Sequence, residues 1–136
     1  MGKASREKGK RGEREASSFF KPYGYDTRRG VQYHGGPDSP DVVGLPDMHI
    51  EVKRVESLQL YKAMAQSKED AGAVEFPIVM HRKNNQQWVI IQPAEDWMMM
   101  YEGAQELYRQ SGEKAERSLR GFLEGLLERL RRDRMV

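Results

Sequence analysis

Two short segments decide the interpretation of this chain: Ser-Pro-Asp-Val-Val at residues 39–43 and His-Ile-Glu-Val-Lys at residues 49–53. On a β-strand, successive side chains point to opposite faces of the sheet. In the second segment, Ile50 and Val52 would therefore be buried on one face. The opposite face would carry three polar side chains, those of His49, Glu51 and Lys53.

Asp41 is the best candidate for a second carboxylate on the face of Glu51. Of the three aspartates that follow a proline, it alone opens an apolar strand, whereas the other two lie in a glycine-rich loop and at a hairpin tip. A three-residue loop at 45–47 places Asp41 opposite Glu51 on the same face. A two-residue turn at 46–47 would instead place them on opposite faces.

Two carboxylates with a lysine beside them are suited to metal-dependent hydrolysis of a phosphodiester. Carboxylate oxygens can hold a hard cation such as Mg²⁺, which acidifies a bound water and offsets charge on the phosphate. The alternative is that Glu51 and Lys53 form an ordinary charge pair on the solvated face of a strand. Spacing alone leaves both interpretations open.

Two helices are predicted to flank these strands and to contribute further polar groups. The first runs from about Ser5 or Lys8 to Lys21, and its periodicity turns Glu13 toward the sheet; a salt bridge of Glu13 to Arg11 or Arg14 is the alternative. The second runs over about 58–71 with Ser57 as its N-cap, and its packing stripe is Leu58, Tyr61 and Ala65, with Leu60 and Met64 beside them. It carries Gln66, which is either a site residue or an exposed glutamine.

In this order of elements the chain resembles the PD-(D/E)xK nuclease superfamily and, within it, the small Holliday junction resolvase-like endonucleases of phages and archaea. The resemblance runs from about Lys8 to Trp97. It rests on four groups of residues, which are Gly12-Glu13-Arg14-Glu15, Ser39-Pro40-Asp41-Val42-Val43-Gly44, Ile50-Glu51-Val52-Lys53 and Ala65-Gln66.

The resemblance implies an α/β fold with a restriction-endonuclease-like core: a helix, a mixed central sheet of about five strands and a crossover helix, here with an added C-terminal amphipathic helix. It implies a structure-selective endodeoxyribonuclease that needs Mg²⁺ or Mn²⁺ and leaves a 5′-phosphate and a 3′-hydroxyl. Branched or duplex DNA would be the partner. The alternatives are a general or weakly specific DNA nuclease and a catalytically silent DNA-binding or assembly module on the same fold.

The resemblance also assigns catalytic roles to particular residues, which are Glu13, Asp41, Glu51, Lys53 and Gln66. Asp41, Glu51 and the main-chain carbonyl of Val52 would hold the metal. Lys53 would orient the attacking water or stabilise the developing charge, and Glu13 would hold a second metal or align the water. Gln66 would hold the residues that contact the metal and the substrate in position.

Composition restricts the classes of protein and the compartment. The 136 residues include no cysteine, which excludes a disulfide framework and a cysteine-bound zinc, and which suits a reducing cytoplasm. No apolar run is long enough to cross a bilayer. We therefore expect a cytoplasmic protein with no membrane partner, in a bacterial or archaeal cell or a phage-infected host.

The net charge is only +2, so the case for DNA depends on where the cations lie. They cluster near the N-terminus, in a first strand predicted over about 26–33, and in the turn at 82–86, which joins two strands predicted over 76–81 and 87–92. The alternative for such clusters is an ordinary solvated surface. The candidate DNA-binding residues are Lys8, Lys10, Arg11, Arg14, Arg28, Arg29, His34, Arg82 and Lys83.

The chain is predicted to form a nuclease domain over residues 1–102, with 1–7 flexible, and a C-terminal helical extension over 103–136. Trp97 and Met98–Met100 are expected to be core. From Ser111 on, apolar residues recur at helical spacing and must be buried, either on the same domain or against a second copy of the chain. A homodimer is expected because two strand cuts need two active sites.

Overall fold

The computed structural model describes residues 2–30, 39–111 and 119–134. Their strands are β1 (Arg28–Arg29), β2 (Val42–Val43), β3 (Met48–Lys53), β4 (Phe76–His81) and β5 (Val89–Ile91). Their helices are α1 (Lys3–Phe19), α2 (Leu60–Asp70), α3 (Ala94–Gln110) and α4 (Leu119–Arg134), with a 3₁₀ turn at Lys21–Tyr23. The predicted α/β class is confirmed.

The five strands form one mixed sheet in the order β1-β2-β3-β4-β5. β3 and β4 run parallel, in register from Met48 opposite Phe76 to Lys53 opposite His81. The other neighbouring strands are antiparallel. The parallel pair requires a crossover connection, and α2 supplies it, as predicted.

The two helices α1 and α2 cover opposite faces of this sheet. The core on the α1 side is formed by Ala16, Phe20, Val42, Ile50, Ile78 and Met80. The core on the α2 side is formed by Ala63, Met64 and Val79. Because side chains alternate along β3, Ile50 faces α1, whereas Glu51 and its polar neighbours face α2. The apolar and polar faces predicted for residues 49–53 are therefore observed.

α1 begins at Lys3, earlier than the start predicted at Ser5 or Lys8, so that part of the segment expected to be flexible is helical. Gly12 lies where this helix approaches the end of β3. A Cβ atom on Gly12 would lie only 2.6 Å from the Cβ of Arg54. Glycine thus permits the close approach, which brings the next residue, Glu13, toward the sheet.

The start and the buried face of α2 differ from the prediction. The helix begins at Leu60 after Gln59, and no side chain caps it, so the assignment of Ser57 as the N-cap was wrong. Its buried residues are Ala63, Met64 and Ser67. Tyr61, expected to pack, is 87% exposed. Ser67 fixes the observed face, since its buried hydroxyl donates to the carbonyl oxygen of Ile78 at 3.0 Å.

The chain divides into two units, Met1–Asp96 and Trp97–Val136. The boundary predicted between residues 102 and 103 falls inside α3. In the second unit, Trp97 stacks on Tyr101 with 5.3 Å between ring centroids, and Tyr108 meets Phe122 edge to face. Among the described residues, none of the helices is both long and apolar enough to span a membrane.

Many apolar side chains of the second unit are exposed in the single chain. Trp97 and Met98–Met100 are 41–62% exposed, so the prediction that they form core was wrong. The predicted stripe on α4 is also accessible, at Leu123, Leu126, Leu127 and Leu130. Helical periodicity identified the apolar positions but not what covers them.

Candidate active site

The pairing of β2 with β3 brings the two predicted carboxylates together. Val42 lies opposite Ile50, and the amide of Asp41 donates to the carbonyl oxygen of Ile50 at 2.8 Å. Asp41 is therefore opposite Glu51, on the face covered by α2. This is the register of the three-residue loop, in which Asp47 adopts a left-handed φ of 66°.

The carboxylate of Asp41 is fixed by the backbone of β3. Its Oδ2 accepts a hydrogen bond from the amide of Val52 at 2.8 Å. Just before β2, the side chain of Asp41 thus accepts a hydrogen bond that a main-chain carbonyl would accept in a regular antiparallel ladder. This bond holds the carboxylate beside Glu51, which is buried at 4% exposure.

Both carboxylates bind protons more tightly than usual. Burial and the nearby Glu51 charge raise the pKa of Asp41 to about 7. Burial also raises the pKa of Glu51, although its hydrogen bond with Asp41 and the ammonium of Lys53 oppose the shift. Paired carboxylate oxygens that repel each other in this way fit a hard divalent cation such as Mg²⁺ or Mn²⁺, because its charge offsets the repulsion.

The raised pKa of Asp41 predicts an inverted pH dependence of stability in chelator-treated protein. The folded state holds this proton more tightly than the unfolded state does, so stability falls as pH rises from about 4 toward 7. We expect a higher Tm at pH 5 than at pH 8, and a Mg²⁺-induced rise in Tm mainly at pH 8. Differential scanning calorimetry checks both. Asp41→Asn should flatten the two trends, and their persistence in that variant would assign them to other groups.

Lys53 and Gln66 meet at the edge of the same face. The Nζ of Lys53 donates to the Oε1 of Gln66 at 3.4 Å, which links the end of β3 to the middle of α2. Both residues line an open cavity of about 260 Å³, together with Leu58 and Lys62. The structure therefore brings the predicted lysine and glutamine into contact beside a space that a substrate group can enter.

Glu13 reaches the site from α1 and is held there by an arginine. The Nε of Arg29 donates to the Oε2 of Glu13 at 2.5 Å, so its partner is not Arg11 or Arg14 as in the sequence alternative. The charge of Glu13 contributes to the raised pKa values of Asp41 and Glu51. Glu13 thus lies within electrostatic reach of both carboxylates.

Sequence reasoning assigned no role in the site to two polar residues that adjoin Glu51. The Nε2 of His49 lies 3.2 Å from the Oε1 of Glu51, and the carboxylate of Asp70 completes a group whose ligand atoms all lie within 4.8 Å of one another. Strand alternation had already placed His49 on this face. No sequence pattern placed Asp70 near Glu51, because the position of Asp70 depends on how α2 packs across the sheet.

The candidate DNA-binding cations differ in their surroundings. Lys8, Arg11 and Arg14 are exposed on α1, and the first two line an open crevice of about 320 Å³ with Arg54 and Asn84. Three other candidates contact carboxylates: the Nζ of Lys10 lies 3.8 Å from the Oε1 of Glu7, Arg29 binds Glu13, and Arg82 binds Glu15. Arg28 and Lys83 are exposed. His34 lies outside the described residues.

No protein-family model, curated protein or solved structure matches this chain. The resemblance to the nuclease superfamily therefore depends on the residues themselves. At the level of fold, the chain is an α/β protein with a five-stranded mixed sheet. The side chains of His49, Glu51 and Asp70 cluster on the face of the sheet that α2 covers.

Proposed function

We propose that the chain is a metal-dependent DNA endonuclease that hydrolyses phosphodiester bonds. The observation that carries this proposal is the placement of Asp41 opposite Glu51, with Lys53 two residues further along β3. This arrangement needs the particular hairpin register found between β2 and β3. A charge pair on an ordinary solvated strand would not require a buried glutamate or a second carboxylate beside it.

In the proposed mechanism, a few side chains bind the metal, orient the attacking water and stabilise the charge on the phosphate. Asp41, Glu51 and the main-chain carbonyl of Val52 are the proposed holders of Mg²⁺ or Mn²⁺. When bound, the cation would lower the pKa of a water molecule and offset charge on the phosphate. Lys53 would orient that water or stabilise the charge on the phosphate oxygens. Gln66 would hold the ammonium of Lys53 in position, consistent with their 3.4 Å contact.

Glu13 has a supporting role in this proposal. Its carboxylate is bound by Arg29 and also acts on the proton affinities of Asp41 and Glu51. It would align a water at the site or complete the ligand set of a second cation. The Arg29 contact would keep the carboxylate aimed at the sheet.

The proposed substrate is DNA recognised by shape and by phosphate position. The exposed cations of α1 can neutralise phosphates, and this kind of contact carries no base sequence. A structure-selective nuclease of the Holliday junction resolvase type is the form we favour, on the resemblance of the four motif groups. Such an enzyme would act in DNA recombination in a cell or an infected host.

The test is cleavage of a labelled panel: a four-way junction, a flap, a linear duplex and a single strand, each with Mg²⁺ and with chelator. We expect Mg²⁺-dependent cutting with the junction preferred. Equal cutting of all substrates would make the protein a general nuclease. Binding to DNA with no cutting under Mg²⁺ or Mn²⁺ would contradict the enzyme and favour a silent DNA-binding module.

A second copy of the chain is the proposed partner of the second unit. Its exposed apolar side chains on α3 and α4 support this proposal, because patches of this kind commonly mark protein interfaces. We expect a dimer in sedimentation velocity that Leu127→Glu dissociates, whereas Glu128→Gln on the same helix leaves it intact. A monomeric wild type at micromolar concentration would contradict the dimer.

A further inference from the structure

We infer that His49, Glu51 and Asp70 form a cation site that prefers Zn²⁺ or a similar transition-metal ion to Mg²⁺. Two of the residues stand on β3, and the third ends α2. The site shares only Glu51 with the proposed metal position between Asp41 and Glu51. Its existence does not depend on nuclease activity, since it concerns binding by residues that the structure already brings together.

The separations of the donor atoms fit ligands of one ion. The Nε2 of His49 and the Oε1 of Glu51 are 3.2 Å apart. Two ligands bound at about 2.0–2.2 Å and at angles between octahedral and tetrahedral lie roughly 2.8–3.6 Å from each other. Asp70 offers a carboxylate oxygen to the same group, in which one ligand atom from each of the three residues lies within 4.8 Å of the others, so rotation of this half-buried side chain can close the set.

The other nitrogen of His49 faces a third carboxyl-bearing residue, Glu75. Its Nδ1 is 4.0 Å from the Oε1 of Glu75, and the amide of Gly72 donates to that same oxygen at 2.7 Å. A metal-bound histidine usually directs its second ring nitrogen to a carboxylate, carbonyl or water, which fixes the ring and its tautomer. With Nδ1 turned to Glu75, Nε2 is the nitrogen directed at Glu51.

The charge and the chemistry of the group both favour a divalent transition metal. His49 is 1% exposed and Glu51 is 4% exposed, while Asp70 and Glu75 add two further carboxyl groups nearby. The imidazole of His49 thus lies among three carboxyl groups, those of Glu51, Asp70 and Glu75, and a buried charge is costly unless it is paired. Mg²⁺ prefers oxygen ligands and retains water, whereas an imidazole nitrogen beside two carboxylates suits Zn²⁺ or Co²⁺.

The test measures metal binding to the full-length, tag-free chain after chelation and dialysis. Co²⁺ would be followed by visible absorption and Zn²⁺ by calorimetry, with no DNA present. We expect one Zn²⁺ or Co²⁺ bound per chain, and an affinity at least about 100-fold weaker in Asp70→Asn and His49→Gln. Glu69→Gln, an exposed neighbour on α2, should bind as wild type does, and Asp41→Asn should retain the site.

Two results would overturn the inference. If Asp41→Asn abolishes the Co²⁺ spectrum while Asp70→Asn keeps it, the ion occupies the position between Asp41 and Glu51 instead. If the wild type binds neither ion above background, His49 serves only as an ion-pair partner of the carboxylates. Asp70→Asn keeps the test valid should the buried His49→Gln fail to fold, which circular dichroism would reveal.

Discussion

Asp41→Asn is expected to reduce DNA cleavage by at least about 10³-fold, the largest effect expected of any single substitution in the site. The amide keeps the size of the side chain and can still accept the hydrogen bond from Val52. It lacks the charge needed to hold a divalent cation beside Glu51. We therefore expect single-turnover cleavage to be lost while DNA binding, measured by fluorescence anisotropy, is retained.

Asp47→Asn is the matched control for this prediction. Asp47 also follows a proline, but it lies at the exposed tip of the β2–β3 hairpin, where its positive φ suits asparagine. Cleavage by this variant should stay close to that of the wild type. Equal losses in the two variants would mean that hairpin structure, and not the Asp41 carboxylate, limits the reaction. Unfolding of Asp41→Asn would make Asp41 a structural residue.

Lys53→Met is expected to lower the rate of the chemical step by about 10²- to 10³-fold with little change in DNA affinity. Methionine keeps most of the length of the aliphatic stem and removes the ammonium that contacts Gln66. In the proposed mechanism this charge acts on the attacking water or on the phosphate in the transition state. Single-turnover rates at saturating protein separate this loss from an effect on binding.

Lys62→Met is the control that separates the effect of where Lys53 lies from the effect of its positive charge. Lys62 lines the same cavity as Lys53 but is exposed on α2. It should affect affinity and its salt dependence more than the rate of cutting. If both variants lose the same fraction of the single-turnover rate, Lys53 contributes only to the general positive charge of the cavity.

The sheet could be predicted from sequence because its signals are local. Residues 49–53 alternate, which predicted the two faces of β3; the sequence left two hairpin registers open, and the structure has the one in which a three-residue loop places Asp41 opposite Glu51. The strand β4 was predicted with the bounds observed, Phe76–His81. The apolar run of β4 lies between segments rich in turn-forming residues. A helix between β3 and β4 predicted the crossover connection that joins them.

Other features depended on distant packing that no local pattern records. The face of α2 was predicted only in part: Met64 is buried as expected, but Tyr61 is exposed, because Ser67, a polar residue, is buried against the sheet through its bond to Ile78. The meeting of His49 with Asp70 depends on the same docking. The partner of Glu13 is an arginine sixteen residues away on β1, which helical spacing could not identify.

The three-residue loop of the β2–β3 hairpin has a consequence for how this chain can vary. Loops are ordinarily where insertions and deletions accumulate, because a change of length there leaves the strands intact. In this hairpin, adding or removing one residue would shift the pairing and turn Asp41 toward the α1 side, even if the strands themselves still formed. Natural variants that preserve the carboxylate pair should therefore accept substitutions in residues 45–47 more readily than changes in their number.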